Sequence, residues 1–192
     1  SARKLQKNSK LWTLLNKLSM KILSVLKTFI IAIKYNPEVI MIHNDIFRRL
    51  RYALNLKNTT MVKIFALSDK VYDEAAIILF LKKEEDEGYL ELSDDDFRLF
   101  LDGLITYKRG PSDKKPQADS GPLTNNKILK KIRIALKIQE DDMLKIFKLA
   151  GFEVSKYEIS ALFRREGHKN FQECGDQFLR NFLKGLTVRY RS

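Results

Sequence analysis

The chain has 192 residues, of which 44% are hydrophobic, and this is enough for ordinary cores in one or two domains. The formal net charge is +12, and the single cysteine, Cys174, excludes an intrachain disulfide. A lone thiol is typical of a reducing compartment, so we expect a cytoplasmic protein. His43 and His168 are too few for a His/Cys metal site, and we expect neither a metal nor a cofactor.

The N-terminal segment, residues 1–40, is strongly basic, with eight Lys or Arg residues and a single acidic residue, Glu38. Apolar residues recur at helical spacing between positions 11 and 33, which predicts a basic amphipathic helix. Its lysines argue against a membrane-spanning helix, and the segment lacks a secretory cleavage site. Three interpretations stay open: a helix packed on the following domain, a membrane-surface or targeting helix, or translation that begins upstream of a natural start at Met41.

The rest of the chain is a duplication. Residues 126–192 align without a gap on residues 44–110 after a shift of 82 positions, so that MLKIF at 143–147 falls on MVKIF at 61–65. The sequence therefore predicts two tandem repeats, at 43–110 and 123–192. Residues 111–122 hold three of the four prolines and almost no apolar residue, which predicts a flexible linker.

Each repeat is predicted to form four short helices, so we expect an all-α protein with two four-helix units. The boundary signals in the second repeat are an N-cap at Asn125 or Asn126, a stop at Gly151, a capping box from Ser155 to Glu158, and an N-cap at Asp176. In the first repeat, residues 75–81 are apolar on every side. A buried strand fits this stretch as well, but we expect a helix, covered by a second partner such as residues 11–33 or a dimer mate.

The repeats differ in charge. The first carries 11 basic and 13 acidic residues, and the second carries 15 basic and 8 acidic residues. We infer that the two copies have diverged in what they touch.

Several motifs recur in the same order as in a known family: KKEEDEGY at 82–89, FLDGLI at 100–105, KRG at 108–110, LKKIRIA at 129–135 and HKNFQECGDQFLR at 168–180. Over residues 41–192 the chain resembles the YehS-like family of small bacterial cytosolic proteins with two copies of a domain of unknown function. The resemblance does not extend to residues 1–40. It also implies a start near Met41, and it implies no activity.

One local pattern indicates nucleic acid. The second helix of repeat two, Gly151, and the pair Val154 and Ser155 before the third helix resemble a repressor helix-turn-helix, although the turn is two residues longer. We predict DNA or RNA contact through the basic second repeat at these residues: Lys130, Lys131, Arg133, Lys156, Ser160, Arg164, Arg165, His168, Lys169, Asn170 and Arg180. The alternative for these residues is a plain helical core with a solvated basic face.

Other residues of the chain suggest two further functions. Cys174, His168 and Asp176 resemble a nucleophile with its base and orienting group, but no oxyanion hole is visible, and a small core residue beside a helix cap is the simpler interpretation. We therefore expect no enzyme. The alternative to nucleic-acid binding is a protein-interaction module that dimerises or binds a partner through the first repeat and the N-terminal helix. A membrane surface is a partner only if that helix is native and exposed.

Overall fold

The computed structural model describes residues 19–21, 41–111 and 121–191. Residues 19–21 are helical. From residue 41 onwards the described residues form eight helices: α1 His43–Ala53, α2 Asn58–Ala66, α3 Glu74–Phe80, α4 Asp94–Arg109, α5 Asn125–Ala135, α6 Glu140–Leu149, α7 Lys156–Leu162 and α8 Asp176–Arg191. No strand occurs in these ranges, which confirms the all-α prediction of two tandem four-helix repeats. Most of the predicted N-terminal helix and most of the predicted linker, residues 112–120, lie outside the described residues.

Short polar side chains set where the helices begin. Ser155 accepts from the backbone N–H of Glu158, whose carboxylate accepts from the N–H of Ser155, so the predicted capping box is confirmed. The N-cap of α5 is Thr124, which accepts from Lys127, so the predicted caps at Asn125 and Asn126 are wrong. These two asparagines lie inside the first turn, where their amides reach other parts of the fold.

An asparagine in the first helix of each repeat holds the irregular loop that precedes the last helix. Asn44 is fully buried, and its amide donates to the carbonyl oxygens of Phe80 and Leu90 at 2.9 and 2.8 Å. Its Oδ1 accepts from the N–H of Leu92 at 2.9 Å. The second repeat makes the same three bonds 82 positions later, between Asn126 and Leu162, Gln172 and Cys174. Both loops thus satisfy their backbone groups through one amide.

A glycine brings two helices into close contact in each repeat. A Cβ added at Gly103 of α4 would overlap the backbone carbonyl of Ile64 in α2. A Cβ at Gly185 of α8 would overlap the carbonyl of Ile146 in α6 in the same way. These glycines are required because of close backbone approach, since neither has a positive φ.

The two repeats pack on each other reciprocally. Helix α4 packs on α5, and α8 packs on α1, so the last helix of each repeat lies on the first helix of the other. The N–H of Leu123 donates to Asp94 at 3.0 Å, and the N–H of Met41 donates to Asp176 at 2.8 Å. The carboxylate of Asp176 is therefore a link between the repeats, and its predicted role as an N-cap is wrong, since it is the first residue of α8.

The apolar stretch at 75–81 forms helix α3, as predicted, but this helix is not buried on every side. Ile77 and Phe80 face the core, whereas Ile78 is 48% exposed. The first repeat also exposes Val71, which is 85% accessible. Apolar side chains therefore lie on the surface of this repeat.

Candidate nucleic-acid interface

Helices α4 and α5 run parallel, and this brings their C-terminal ends together. Asp94 contacts Leu123 where both helices begin, and Asp102 forms an ion pair with Lys131 farther along. Lys131 is thus engaged with the first repeat. We call the contact between α4 and α5 the α4/α5 edge, and the equivalent contact between α1 and α8 the α1/α8 edge. Of the predicted cations on α5, Lys130 and Arg133 lie at the C-terminal end of the α4/α5 edge.

A cleft of about 330 Å³ opens at that end, and we call it the cationic cleft. Eight side chains line it: Arg109, Lys130, Arg133, Lys137, Ile134, Ile138, Gln139 and Phe163. Four of these are cations and none is a carboxylate. Arg109 comes from the first repeat, so the cleft is built by both repeats.

Three of the four cations are open to solvent. The side chains of Arg109, Lys130 and Lys137 are exposed, and none of these three side chains forms an ion pair or hydrogen bond within the part of the chain that the structure describes. The carbonyl ends of α4 and α5 lie here, and cations near such an end gain ~0.3–1 kcal/mol each from the helix dipole. That gain offsets part of the repulsion among like charges, so the fold tolerates the cluster.

The fourth cation is held in place. The Nε of Arg133 donates to the carbonyl oxygen of Ile138 at 3.1 Å. Its guanidinium carbon lies 4.5 Å from the centre of the Phe163 ring, which is a cation–π contact. The guanidinium is therefore fixed as one layer of a stack on the wall of the cleft.

The corresponding end of the α1/α8 edge also carries cations, and its three arginines are engaged. Arg191 donates to Asn55 at 2.7 Å, and its guanidinium lies 4.6 Å from the centre of the Tyr52 ring. Two more arginines have partners as well: Arg48 with Asp45 and the carbonyl of Lys82, and Arg51 with Asn58. The two edges share a backbone arrangement and differ in free positive charge.

Four more predicted residues lie on α7 or just after it: Lys156, Ser160, Arg164 and Arg165. Lys156 pairs with Asp141 at 2.8 Å, and the hydrogen bond from Lys156 lowers the pKa of the Asp141 carboxyl. The guanidinium of Arg164 lies 5.7 Å from the ring centre of Tyr157, on the exposed side of the helix. Ser160 is half-buried, and Arg165 is exposed.

The predicted loop residues are exposed or nearly so, and one predicted arginine lies elsewhere. His168 and Lys169 are exposed, and Asn170 donates its backbone N–H to Nδ1 of His168 at 3.1 Å. Arg180 donates to Gln177 at 2.9 Å. Arg180 lies on α8, at the α1/α8 edge. Its counterpart in the first repeat, Arg98, lies at the α4/α5 edge and donates to the carbonyl oxygen of Gly121. The structure does not bring Arg180 to the cationic cleft.

Cys174 is a core residue. It is 5% exposed, and burial raises the pKa of its thiol to about 12. A neutral thiol is a poor nucleophile, so the arrangement does not suit covalent catalysis.

Among the residues that the structure describes, no group of three or more His, Cys, Asp or Glu side chains is placed to hold a metal ion. No described helix combines the length and apolarity needed to cross a bilayer.

Six of the eight residues of the cationic cleft were not among the predicted site residues, and three of the six carry the charge and the aromatic ring of the site: Arg109, Lys137 and Phe163. Lys137 carried a signal, because it continues the lysine face of α5. Arg109 and Phe163 carried none, since only the packing of α4 on α5 and of α7 beside α5 brings them to Arg133.

Comparison with known proteins agrees with the family resemblance of the sequence. The model of a family described as "Protein of unknown function (DUF1456)" matches twice, at residues 43–110 and 125–192. The uncharacterized protein YehS of Escherichia coli (strain K12) is 43% identical over 150 residues, which cover 78% of this chain and 96% of that protein. No solved structure matches the chain. The YehS-like resemblance is thereby confirmed, and the chain belongs to the DUF1456 family of proteins of unknown function, with two copies of its domain.

Proposed function

We propose that this protein is a non-enzymatic, cytoplasmic nucleic-acid-binding protein that holds phosphate groups on its basic second repeat. The observation that carries the proposal is the cationic cleft, where Arg109, Lys130 and Lys137 stand exposed without a carboxylate among the lining residues. Unpaired cations that release counterions from a phosphate backbone supply most of the affinity in sequence-independent binding. A single buried cysteine also suits a reducing compartment.

The internal repeat extends the surface beyond the cleft. In the first repeat, Lys83 lines a groove together with Arg48 and Glu85. After the 82-position shift, Arg165 stands at the position of Lys83, Lys130 at that of Arg48, and Gly167 at that of Glu85. The two loops have matching backbone hydrogen bonds, from His168 to Arg165 and from Asp86 to Lys83, so these residues take equivalent places. A glycine thus replaces a carboxylate beside the cations of the second repeat.

Two further positions of that loop have also lost an acidic residue in the second repeat. His168 and Lys169 stand where the first repeat has Asp86 and Glu87. Phosphate contacts from these residues would add affinity and salt dependence without sequence information. The helix-turn-helix-like docking of α7 stays a prediction, in which Lys156, Ser160 and Arg164 contact the nucleic acid.

The test is retention on heparin and on mixed DNA and RNA across a salt gradient. We expect the double variant Lys130→Glu/Lys137→Glu to elute at much lower salt. In a plot of log K against the logarithm of the salt concentration, its slope should be smaller by about two, because each phosphate contact contributes about 0.9. The matched control is Lys145→Glu/Lys148→Glu, which makes the same charge change on exposed positions of α6. Equal loss in both variants, or retention insensitive to salt, would contradict the proposal.

The competing function is binding of a protein partner by the first repeat. The observation in its favour is the set of exposed apolar side chains in that repeat: Leu67, Val71, Ile78 and Leu90. Light scattering distinguishes the two proposals. A dimer or complex that dissociates in Val71→Asp/Ile78→Asp, with nucleic-acid retention unchanged, would favour the protein partner.

A further inference from the structure

We propose that the cationic cleft receives one unstacked nucleotide, so that the protein binds single-stranded nucleic acid in preference to duplex. This inference rests on the proposed function. The phosphate would lie among Arg109, Lys130 and Lys137, and the base would lie on the Arg133–Phe163 stack.

The shape of the cleft favours a nucleotide that leaves its stack. Its volume of about 330 Å³ is at the small end of the usual range for ligand pockets, about 300–1,000 Å³. Apolar side chains, Ile134, Ile138 and Phe163, line it together with the cations. A duplex offers phosphates on a convex surface while its bases stay stacked inside. A single strand can turn a base outwards and fill a recess that is lined by both cations and apolar side chains.

The chemistry of the wall also favours a base. Exposed bases stack on aromatic rings and on the planes of arginine guanidinium groups. The Arg133 guanidinium already lies on the Phe163 ring, and the Ile138 carbonyl fixes its orientation. A base that lies on this pair would therefore meet a surface that needs no further ordering, which lowers the entropic cost of binding.

The first repeat lacks this arrangement at the corresponding place. Leu81 stands in the position of Phe163, and the counterpart of Arg133 donates to Asn58. Tyr52 there carries the guanidinium of Arg191 on its ring. We therefore expect one nucleotide site per chain, at the α4/α5 edge.

The experiment measures fluorescence anisotropy with labelled 12-nucleotide mixed-sequence DNA and RNA strands and with the matching 12-base-pair DNA duplex, at fixed salt. For the unaltered chain we expect tighter binding of the strands. Phe163→Leu introduces the residue that the first repeat carries at this position, and it should weaken strand binding about tenfold while duplex binding stays the same.

A second variant does not depend on packing. Arg109→Gln removes an exposed cation from the cleft, and its matched control, Arg191→Gln, removes the corresponding arginine of the other edge. We expect the first to weaken strand binding severalfold and the second to have no effect on it. Circular dichroism melts confirm that each variant folds.

The outcomes separate the two proposals. Nucleic-acid binding that prefers duplex, or that Phe163→Leu and Arg109→Gln leave unchanged for strands, overturns the single-strand inference and leaves the proposed function in place. The absence of any salt-sensitive binding by the unaltered chain overturns both.

Discussion

The α4/α5 edge and the α1/α8 edge have the same construction and different surfaces. At both edges two parallel helices are joined near their N-termini by an aspartate that accepts from the backbone of the other repeat. At their C-terminal ends the α4/α5 edge leaves Arg109, Lys130 and Lys137 open, whereas the other edge engages its three arginines with Asn55, Tyr52, Asp45 and Asn58. Three of the four cleft cations have an arginine at the equivalent position of the other repeat. The edges therefore differ in the partners of these cations, and at Lys137 and Phe163, where the first repeat has Asn55 and Leu81.

The largest expected effect concerns the paired asparagines. Asn44→Ala leaves buried carbonyl and N–H groups of the following loop without partners, at about 1–3 kcal/mol for each group, so we expect a loss of about 4 kcal/mol in the free energy of unfolding. Asn126 is half-buried, so water can replace part of its bonding, and Asn126→Ala should cost about half as much. Urea denaturation measures both. Equal costs would show that burial does not separate the two sites.

The glycine contacts should respond alike in both repeats. Gly103→Ala and Gly185→Ala each force a methyl group against a backbone carbonyl, and we expect each to lower the free energy of unfolding by about 3 kcal/mol. Gly175→Ser is the control, because its Cβ meets nothing within 4 Å and serine is the residue of the first repeat at that position. Thermal melts of the three variants test this. A mild effect at only one of the two glycines would break the equivalence of the repeats.

The thiol of Cys174 should make the second repeat sensitive to alkali. Its pKa is raised to about 12 from an ordinary value of 9.0, so the unfolded chain ionises first, and stability is lost as pH rises above about 9. At pH 10 this loss is on the order of 1 kcal/mol relative to neutral pH. Urea denaturation of the unaltered chain and of Cys174→Ala at pH 7 and pH 10 isolates it. A difference between the two proteins that does not change with pH would contradict the assignment.

The smallest effect concerns the charges along the two edges. Lys131→Glu sets a like charge against Asp102 and should cost about 1 kcal/mol. At the other edge Lys184 stands at the position of Asp102, and it donates to the carbonyl oxygen of Ala150 at 3.1 Å. Lys184→Met removes this bond and should cost about 0.5 kcal/mol at any salt concentration, whereas the loss in Lys131→Glu should shrink as salt screens the charges. Melting temperatures in low salt and high salt measure both variants, and the same salt dependence in both would contradict the comparison.

The sequence predicts the repeats and the helices because these depend on local patterns, such as the helical spacing of α5. It also predicts the Ser155 capping box, but it misplaces the N-terminal caps of α5 and α8. The candidate site is only partly visible in the sequence. Lys130 and Arg133 share a helix and could be named together, but Arg109 reaches them only through the packing of α4 on α5. The same packing engages Lys131 with Asp102, and no spacing rule reveals that.

The reciprocal aspartates have a consequence for a repeat on its own. Each repeat presents an acceptor, Asp94 or Asp176, whose donor lies in the other copy, and the first and last helices of each repeat are covered by that copy. A solitary copy could satisfy both by pairing with an identical molecule, in a twofold-symmetric homodimer with two equivalent edges. Fusion of two copies into one polypeptide removes the requirement that both edges be the same. One edge could then keep its internal bonds while the other became free to acquire a ligand.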